Sequence, residues 1–342
     1  MSAPTSAPRS AAPADQSRVL LIMPLQDAAG EELLEKACGR VDRTGIEPEA
    51  ITVALADADA VVLRGPGYLS AEQLDAAPHL RFISVSGAGY DCVDIAAATA
   101  RGLPVLFYPG FSARPVAEWV LGALVVCSRR LGTADAACRR PDFDWTRRTT
   151  DLNGTLLHGA SLGLVGLGRI GLIVANLAGA FGMEVTAYDP HTVDWPEGVA
   201  RAEDLDALLA TSDFVSLNAP LTDETRGMIS RERIAAMKPG ACLINAARGE
   251  LLDEQAVAGA LESGHLAFGA FDVFCSEPDV SASPLATARN AMVTPHIAGN
   301  SVNTTRATCV AIAETVISAL NGTFDVARVV NGEVLTGASG GR

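Results

Sequence analysis

Four chemically capable side chains stand where apolar runs of this chain end. Arg248 closes Ala241-Cys-Leu-Ile-Asn-Ala-Ala, Asp272 and Glu277 follow the run that ends at Phe271, and His296 follows Ala291-Met-Val-Thr-Pro. Histidine exchanges its proton near neutral pH, and a carboxylate beside it favours the protonated ring. Such a pair donates a proton to a carbonyl oxygen and takes it back in the reverse direction. A guanidinium offers a planar fork to a substrate carboxylate and keeps an N–H to polarise the adjacent carbonyl. Taken alone, a histidine in this setting is more often structural than catalytic, and a strand-end arginine is often a surface ion pair. Their joint occurrence, with Arg-Gly directly after a buried run, points to His296 and Glu277 as an acid/base pair and to Arg248 as the carboxylate anchor.

A second motif supplies a partner for that chemistry. Ser161-Leu-Gly-Leu-Val runs into Gly166-Leu-Gly168-Arg-Ile-Gly171, and Met183-Glu-Val-Thr-Ala-Tyr188 then ends on Asp189. The glycine spacing is weak by itself, because 32 Gly in 342 residues make chance matches common. Strand, tight turn, helix and a second strand ending on an acid give it the context of a dinucleotide fingerprint. Gly166 permits the turn, Gly168 lets a pyrophosphate reach the backbone, and Gly171 allows close packing. The amides and dipole at the helix start provide the anion site. Asp189 accepts the ribose 2′-OH of NAD and repels the 2′-phosphate of NADP, and Pro190-His191 offers no arginine to reverse that preference.

To stand together these residues need a parallel sheet, since open α/β sheets bind ligands at the carboxyl ends of their strands. Strands are expected at Arg18–Pro24, Ala60–Leu63, Leu80–Val85 and Pro104–Tyr108, then at Ala160–Val165, Met183–Tyr188, Asp213–Pro220, Ala241–Asn245, Ala267–Phe274 and Ala291–His296. Helical segments alternate with them, including long ones at Val116–Arg130 and Asn303–Leu320. The expected fold is α/β, a Rossmann nucleotide-binding domain inserted into a smaller flavodoxin-like parallel α/β substrate domain. The expected boundaries are a disordered tail at 1–17, a substrate domain at 18–109 with 300–333 returning to it, a nucleotide domain at 110–299, and a flexible tail at 334–342.

Composition narrows the function classes. A net charge of −14 argues against nucleic acid and anionic membrane as partners. The longest apolar run, near Val116–Cys127, contains Glu118 and falls short of a membrane span. The Ala/Pro/Ser-rich start has no apolar core of a secretory signal. Seven scattered cysteines fit reduced thiols of a cytoplasmic protein better than disulfides or a metal site. Cys275, between two functional candidates, is read as a small space-filling side chain.

The chain resembles the D-isomer-specific 2-hydroxyacid dehydrogenases. The matching stretches are Gly166–Gly171, Asp189, Met237-Lys-Pro-Gly, Ile244-Asn-Ala-Ala-Arg-Gly249, Asp272-Val-Phe-Cys-Ser-Glu-Pro278, Thr294-Pro-His-Ile-Ala-Gly299, Val116-Ala-Glu118 and Ser86-Gly-Ala-Gly-Tyr-Asp91. The resemblance implies Arg248, Glu277 and His296 as the catalytic triplet and Asp272 on the nicotinamide carboxamide. It places Arg169 and Ile170 over the pyrophosphate, and Pro220, Ala246, Ala247 and Gly299 along the cofactor. It implies that the amides of Ala88 and Gly89 grip the substrate carboxylate. It also implies a homodimer formed through the nucleotide domain.

Three stretches depart from the family pattern: Asn218 stands where many members carry His, Asn300 replaces a more usual Thr or Ala, and Tyr108–Pro115 lacks the common Asn-containing helix entry. Glu277 argues against a formate dehydrogenase, whose members pair the histidine with Gln. With few residues after Asn331, the C-terminal regulatory domain of many phosphoglycerate dehydrogenases is not expected here. The implied activity is NAD(H)-dependent interconversion of a small 2-oxo acid and its D-2-hydroxy acid. Alternatives are an NAD-sensing corepressor-like binding protein and a phosphite-type oxyanion dehydrogenase.

Overall fold

The structure is a computed structural model, and it describes residues 12–148 and 152–337. The chain divides into two compact units at Ser112/Ala113 and Asn300/Ser301.

The first unit holds five strands: β1 Arg18–Ile22, β2 Arg40–Thr44, β3 Ala60–Leu63, β4 Phe82–Val85 and β5 Val105–Leu106. They pair in parallel in the order β2-β1-β3-β4-β5, the flavodoxin-like order. β3 and β4 are wholly buried, as expected of strands covered on both faces. The helix Val302–Leu320 returns to this unit and packs on the helix Ala28–Ala37. Gly30 marks that crossing, since a Cβ there would lie 2.5 Å from the Cys309 carbonyl oxygen. Beyond it, Asn331 is buried and closes the edge at β5, accepting from Val105 N at 2.9 Å and donating to Leu103 O at 2.9 Å.

The second unit holds seven strands: β6 Ser161–Val165, β7 Glu184–Tyr188, β8 Ala200–Arg201, β9 Phe214–Leu217, β10 Ala241–Asn245, β11 Leu266–Phe271 and β12 Ala291–Val293. All pairings are parallel, in the order β12-β11-β10-β9-β6-β7-β8. Counted from β6, this is the doubly wound dinucleotide-binding order with one extra strand. The order reverses between β6 and β9. Apolar clusters cover both faces. One gathers Val120, Leu124 and Val174, and the other gathers Leu208, Leu243 and Val257.

Several sequence expectations change. β2 was missed because Arg40-Val-Asp-Arg-Thr has no apolar run; it is an edge strand, held by the β1 ladder and by Arg18 pairing with Asp42. The short edge strand β8 and the helix Pro48–Leu55 were also missed. The tail expected at 1–17 is ordered from residue 12, while 1–11 lie outside the described residues. Ala14–Gln16 forms a 3-10 turn with Ala14 and Ser17 buried, because Arg81 Nη1 donates to Ala12 O at 2.8 Å and Asn321 Oδ1 accepts from Ala14 N at 3.1 Å. Within the expected tail 334–342, Glu333–Gly337 is helical because Leu335 packs on the core of the first unit; 338–342 lie outside the described residues. No helix among the described residues is long and apolar enough to cross a membrane.

Gly30→Ala is expected to destabilise the first unit by about 1–3 kcal/mol, since the added methyl meets backbone rather than a movable side chain. Urea unfolding of the variant beside the parent measures it.

Candidate active site

Because the second sheet is parallel, the residues that follow its strands share one end of it. The fingerprint turn follows β6, Asp189 follows β7, Pro220 lies beyond β9, and Ala246, Ala247 and Arg248 follow β10. Asp272 directly follows β11, and His296 and Gly299 lie beyond β12. Ala88 and Gly89 lie after β4, in the first unit.

The turn geometry explains the glycines. Gly166 has φ +92°, and a Cβ there would sit 2.9 Å from the backbone of Asn218 and Ala219 on the neighbouring strand end. A Cβ on Gly171 would strike the carbonyl oxygen of Gly166, so this glycine closes the turn on itself rather than fitting the helix to a strand. A Cβ on Gly168 would meet nothing within 4 Å. That open face lies at the N-cap of the twelve-residue helix Arg169–Ala180, where no side chain caps the free amides. The arrangement fits a bound pyrophosphate.

Asp189 is anchored by backbone donors. Leu167 N reaches Oδ2 at 2.8 Å, while His191 N and Thr192 N reach Oδ1 at 2.8 and 3.0 Å. Partial burial opposes ionisation, but these bonds outweigh it and hold the carboxyl below its usual pKa. Beyond the Leu167 amide, Oδ2 retains acceptor capacity for a ribose hydroxyl.

Arg248 is set by its own loop. Asn245, fully buried at the end of β10, accepts from Ala247 N at 3.0 Å and donates to Arg248 O at 2.7 Å. The next residue, Gly249, touches the backbone of Phe274 and Cys275 so closely that a Cβ would overlap it. The loop bearing Arg248 is thereby laid against the loop bearing Glu277. The guanidinium Nη1 donates to Ala247 O at 2.7 Å, and its charge helps lower the Glu277 pKa.

His296 and Glu277 meet directly, with Nδ1 and Oε2 2.8 Å apart. Burial works against the Glu277 carboxylate. The His296 hydrogen bond and charge, the Phe274 N–H at 3.0 Å and the Arg248 charge outweigh it, so its pKa lies below the usual value. Glu277 therefore acts as a pure acceptor, and Nδ1–H is the donor. Nε2 is left to exchange a proton with a ligand, on a side chain that is 50% exposed.

His296 has φ +52°, a region L-residues rarely adopt. Asp272 holds it there. Its buried carboxyl accepts from Thr294 Oγ1 at 2.5 Å, Ile297 N at 2.9 Å and Ala298 N at 2.7 Å, and its carbonyl accepts from His296 N at 2.7 Å. Asp272 thus organises the histidine turn, a task absent from its sequence reading. Asn245, Gly249 and Thr294 also received no positional role there, although an Asn ending a buried strand and a Gly after Arg are visible signals. Cys275 is exposed rather than space-filling, and partial desolvation with the Glu254 and Glu250 charges pushes its thiol up to about 12, so it stays protonated.

Comparison with known proteins agrees with this geometry. A profile of the "D-isomer specific 2-hydroxyacid dehydrogenase, NAD binding domain" matches residues 121–298. The chain belongs to this family. It is 39% identical over 282 residues to the D-3-phosphoglycerate dehydrogenase of Mycobacterium tuberculosis, covering 82% of this chain and 52% of that protein. The chain thus spans about half the length of the phosphoglycerate dehydrogenases it matches. It is 35% identical over 307 residues to the hydroxypyruvate reductase of Thermotoga maritima, covering 89% and 98% of the two chains. The crystal structure of the TT0316 protein from Thermus thermophilus superposes with a TM-score of 0.81 at 34% identity, covering 92% and 99%. The family's matched part is its NAD-binding domain, and NAD is the cofactor.

The Glu277 carboxyl is expected to titrate below the ordinary glutamate range, and His296→Ala to move it up by removing its principal partner. The stability this group contributes is then full above the unfolded-chain value and is lost as pH falls through the lower folded value. Carbon-13 NMR of the carboxyl, assigned with Glu277→Gln, reads both midpoints.

Proposed function

We propose that the protein is an NAD(H)-dependent oxidoreductase interconverting a small 2-oxo acid and its D-2-hydroxy acid. The observation that carries this reading is the 2.8 Å pair of Glu277 and His296, electrostatically coupled to Arg248, at the carboxyl end of the dinucleotide-binding sheet. Gly166–Gly171 and Asp189 would hold the cofactor, which would supply a hydride for the carbonyl carbon or accept one in reverse. His296 Nε2 donates the proton that the carbonyl oxygen needs, and recovers it in the oxidative direction. Glu277 holds the ring orientation through Nδ1 and offsets the imidazolium charge. Arg248 pairs with the substrate carboxylate and polarises the adjacent carbonyl. Asp189 sets the preference for NAD over NADP, and Asp272 sets the histidine turn.

The names of the relatives favour hydroxypyruvate or its 3-phosphorylated relative as substrate, with glyoxylate as the smallest test case. The helical surface of the second unit leaves Leu131, Leu172 and Phe181 exposed, which supports a homodimer through that unit. Light scattering of the purified protein reads the assembly.

With NADH, one or more of glyoxylate, hydroxypyruvate, 3-phosphohydroxypyruvate, pyruvate and phenylpyruvate is expected to give a loss of absorbance at 340 nm. No change with any of them sinks the reading. Phosphite-dependent reduction of NAD replaces it with the oxyanion alternative. His296→Ala is expected to lower kcat at least ~100-fold with NADH affinity unchanged, as for a general acid. An equal loss of NADH binding would show that His296 serves the cofactor instead.

A further inference from the structure

Glu254 is a buried carboxylic acid that the proposed chemistry does not use. It is the first residue of the helix Glu254–Ser263 and only 9% exposed. An acid in a first helical turn ordinarily serves the helix dipole or the cap. Here the cap is Asp253, which accepts from Ala256 N at 2.8 Å. Glu254 instead reaches out of its helix. Oε1 accepts from Cys275 N at 2.7 Å, and Oε2 accepts from Ser283 Oγ at 2.6 Å.

Those two partners bracket Glu277. At the near end, the backbone of Phe274 and Cys275 lies against Gly249, and Phe274 N donates to Glu277 Oε1 at 3.0 Å. At the far end, Ser283 Oγ also accepts from Leu285 N at 3.2 Å, and Leu285 is in the core. Between the two ends, Ser276 Oγ to Asp279 O, Ser281 N to Asp279 Oδ1 and Ser281 Oγ to the same oxygen are contacts of the loop with itself. Glu254 is the side chain that reaches both ends from a separate, rigid element. Without it the Cys275 amide loses its acceptor, and a half-buried donor left unpaired favours backbone movement.

We propose that Glu254 is a positioning residue for the proton-transferring pair, tying Cys275 and Ser283 so that the loop between them holds Glu277 against His296. The kinetic consequence rests on the dehydrogenase reading, and the structural consequence stands on the geometry alone. A displacement of about 1 Å at the Glu277 carboxyl is enough to cost ~100-fold in rate.

The test uses the full chain with Glu254→Ala, Glu254→Gln and Ser283→Ala. Glu254→Ala is expected to lower kcat ~10- to 100-fold while NADH affinity is unchanged. Glu254→Gln keeps an acceptor for Cys275 N and recovers most of that loss, and Ser283→Ala falls between it and Glu254→Ala. In a Glu277→Gln background, Glu254→Ala is expected to cost little more, because the group it positions is already gone. The Glu277 carboxyl titration is read in parallel without turnover. The groups that face this carboxyl are His296, Arg248 and the Phe274 amide, and its midpoint is expected to rise as Glu254→Ala loosens their hold.

An unchanged Glu277 midpoint in Glu254→Ala, or a full additional loss in the Glu277→Gln background, overturns the proposal. If Glu254→Ala does not fold, an unchanged midpoint in Ser283→Ala overturns it equally. A parent protein that reduces no 2-oxo acid refutes the dehydrogenase reading, while a raised midpoint would still support the tie.

Discussion

A buried carboxyl group at the end of β11 draws the chain beyond β12 into a turn that an L-residue does not favour. Asp272 collects the Thr294 hydroxyl and the Ile297 and Ala298 amides, and its carbonyl takes the amide of His296. The positive φ of His296 is stabilised by that set of bonds and would be strained without it. Everything the histidine can do follows from this arrangement. It brings Nδ1 to Glu277 and leaves Nε2 for a ligand.

The same economy runs through the rest of the second unit. Polar side chains at strand ends and at one helix start direct their hydrogen bonds to loops. Asp189 holds the fingerprint turn through Leu167 N, and Asn245 sets the Arg248 turn. Glu254 reaches Cys275 and Ser283. All but the Glu254–Ser283 bond satisfy a backbone group of a loop, and together they fix turns that secondary structure alone leaves open. Glycine does the complementary work. Gly166 and Gly249 stand where two backbones approach too closely for a Cβ. The candidate catalytic groups therefore sit on loops, and hydrogen bonds from strand ends fix the turns that carry them. That rigidity is what proton transfer between fixed partners requires.

The doubly wound sheet sets the larger frame. Its order reverses between β6 and β9, and the candidate cofactor and catalytic residues follow β6, β7, β9, β10, β11 and β12 at one edge. The helix start at Arg169 and the candidate proton donor His296 are thereby placed at the same end of one sheet. The first unit has its own parallel sheet and its own switch in strand order, and the returning helix Val302–Leu320 completes it. That helix meets the first unit where Gly30 faces Cys309.

Much of this was legible in the residue order. Buried parallel strands are continuous apolar runs, so β1, β3, β4, β6, β9 and β10 announced themselves, and glycine spacing with Asp189 marked the candidate nucleotide turn. Arg248, Glu277 and His296 were visible because charged groups at the ends of such runs are conspicuous. β2 and β8 were not, because edge strands need no apolar face and draw their stability from a ladder the sequence does not display. The placement of residues 12–17 depended on Arg81 and Asn321, which are remote in the chain. Above all, what Asp272 and Glu254 do was decided by tertiary structure. A carboxyl group acquires its role from the donors that surround it, and those donors come from segments that only folding brings together.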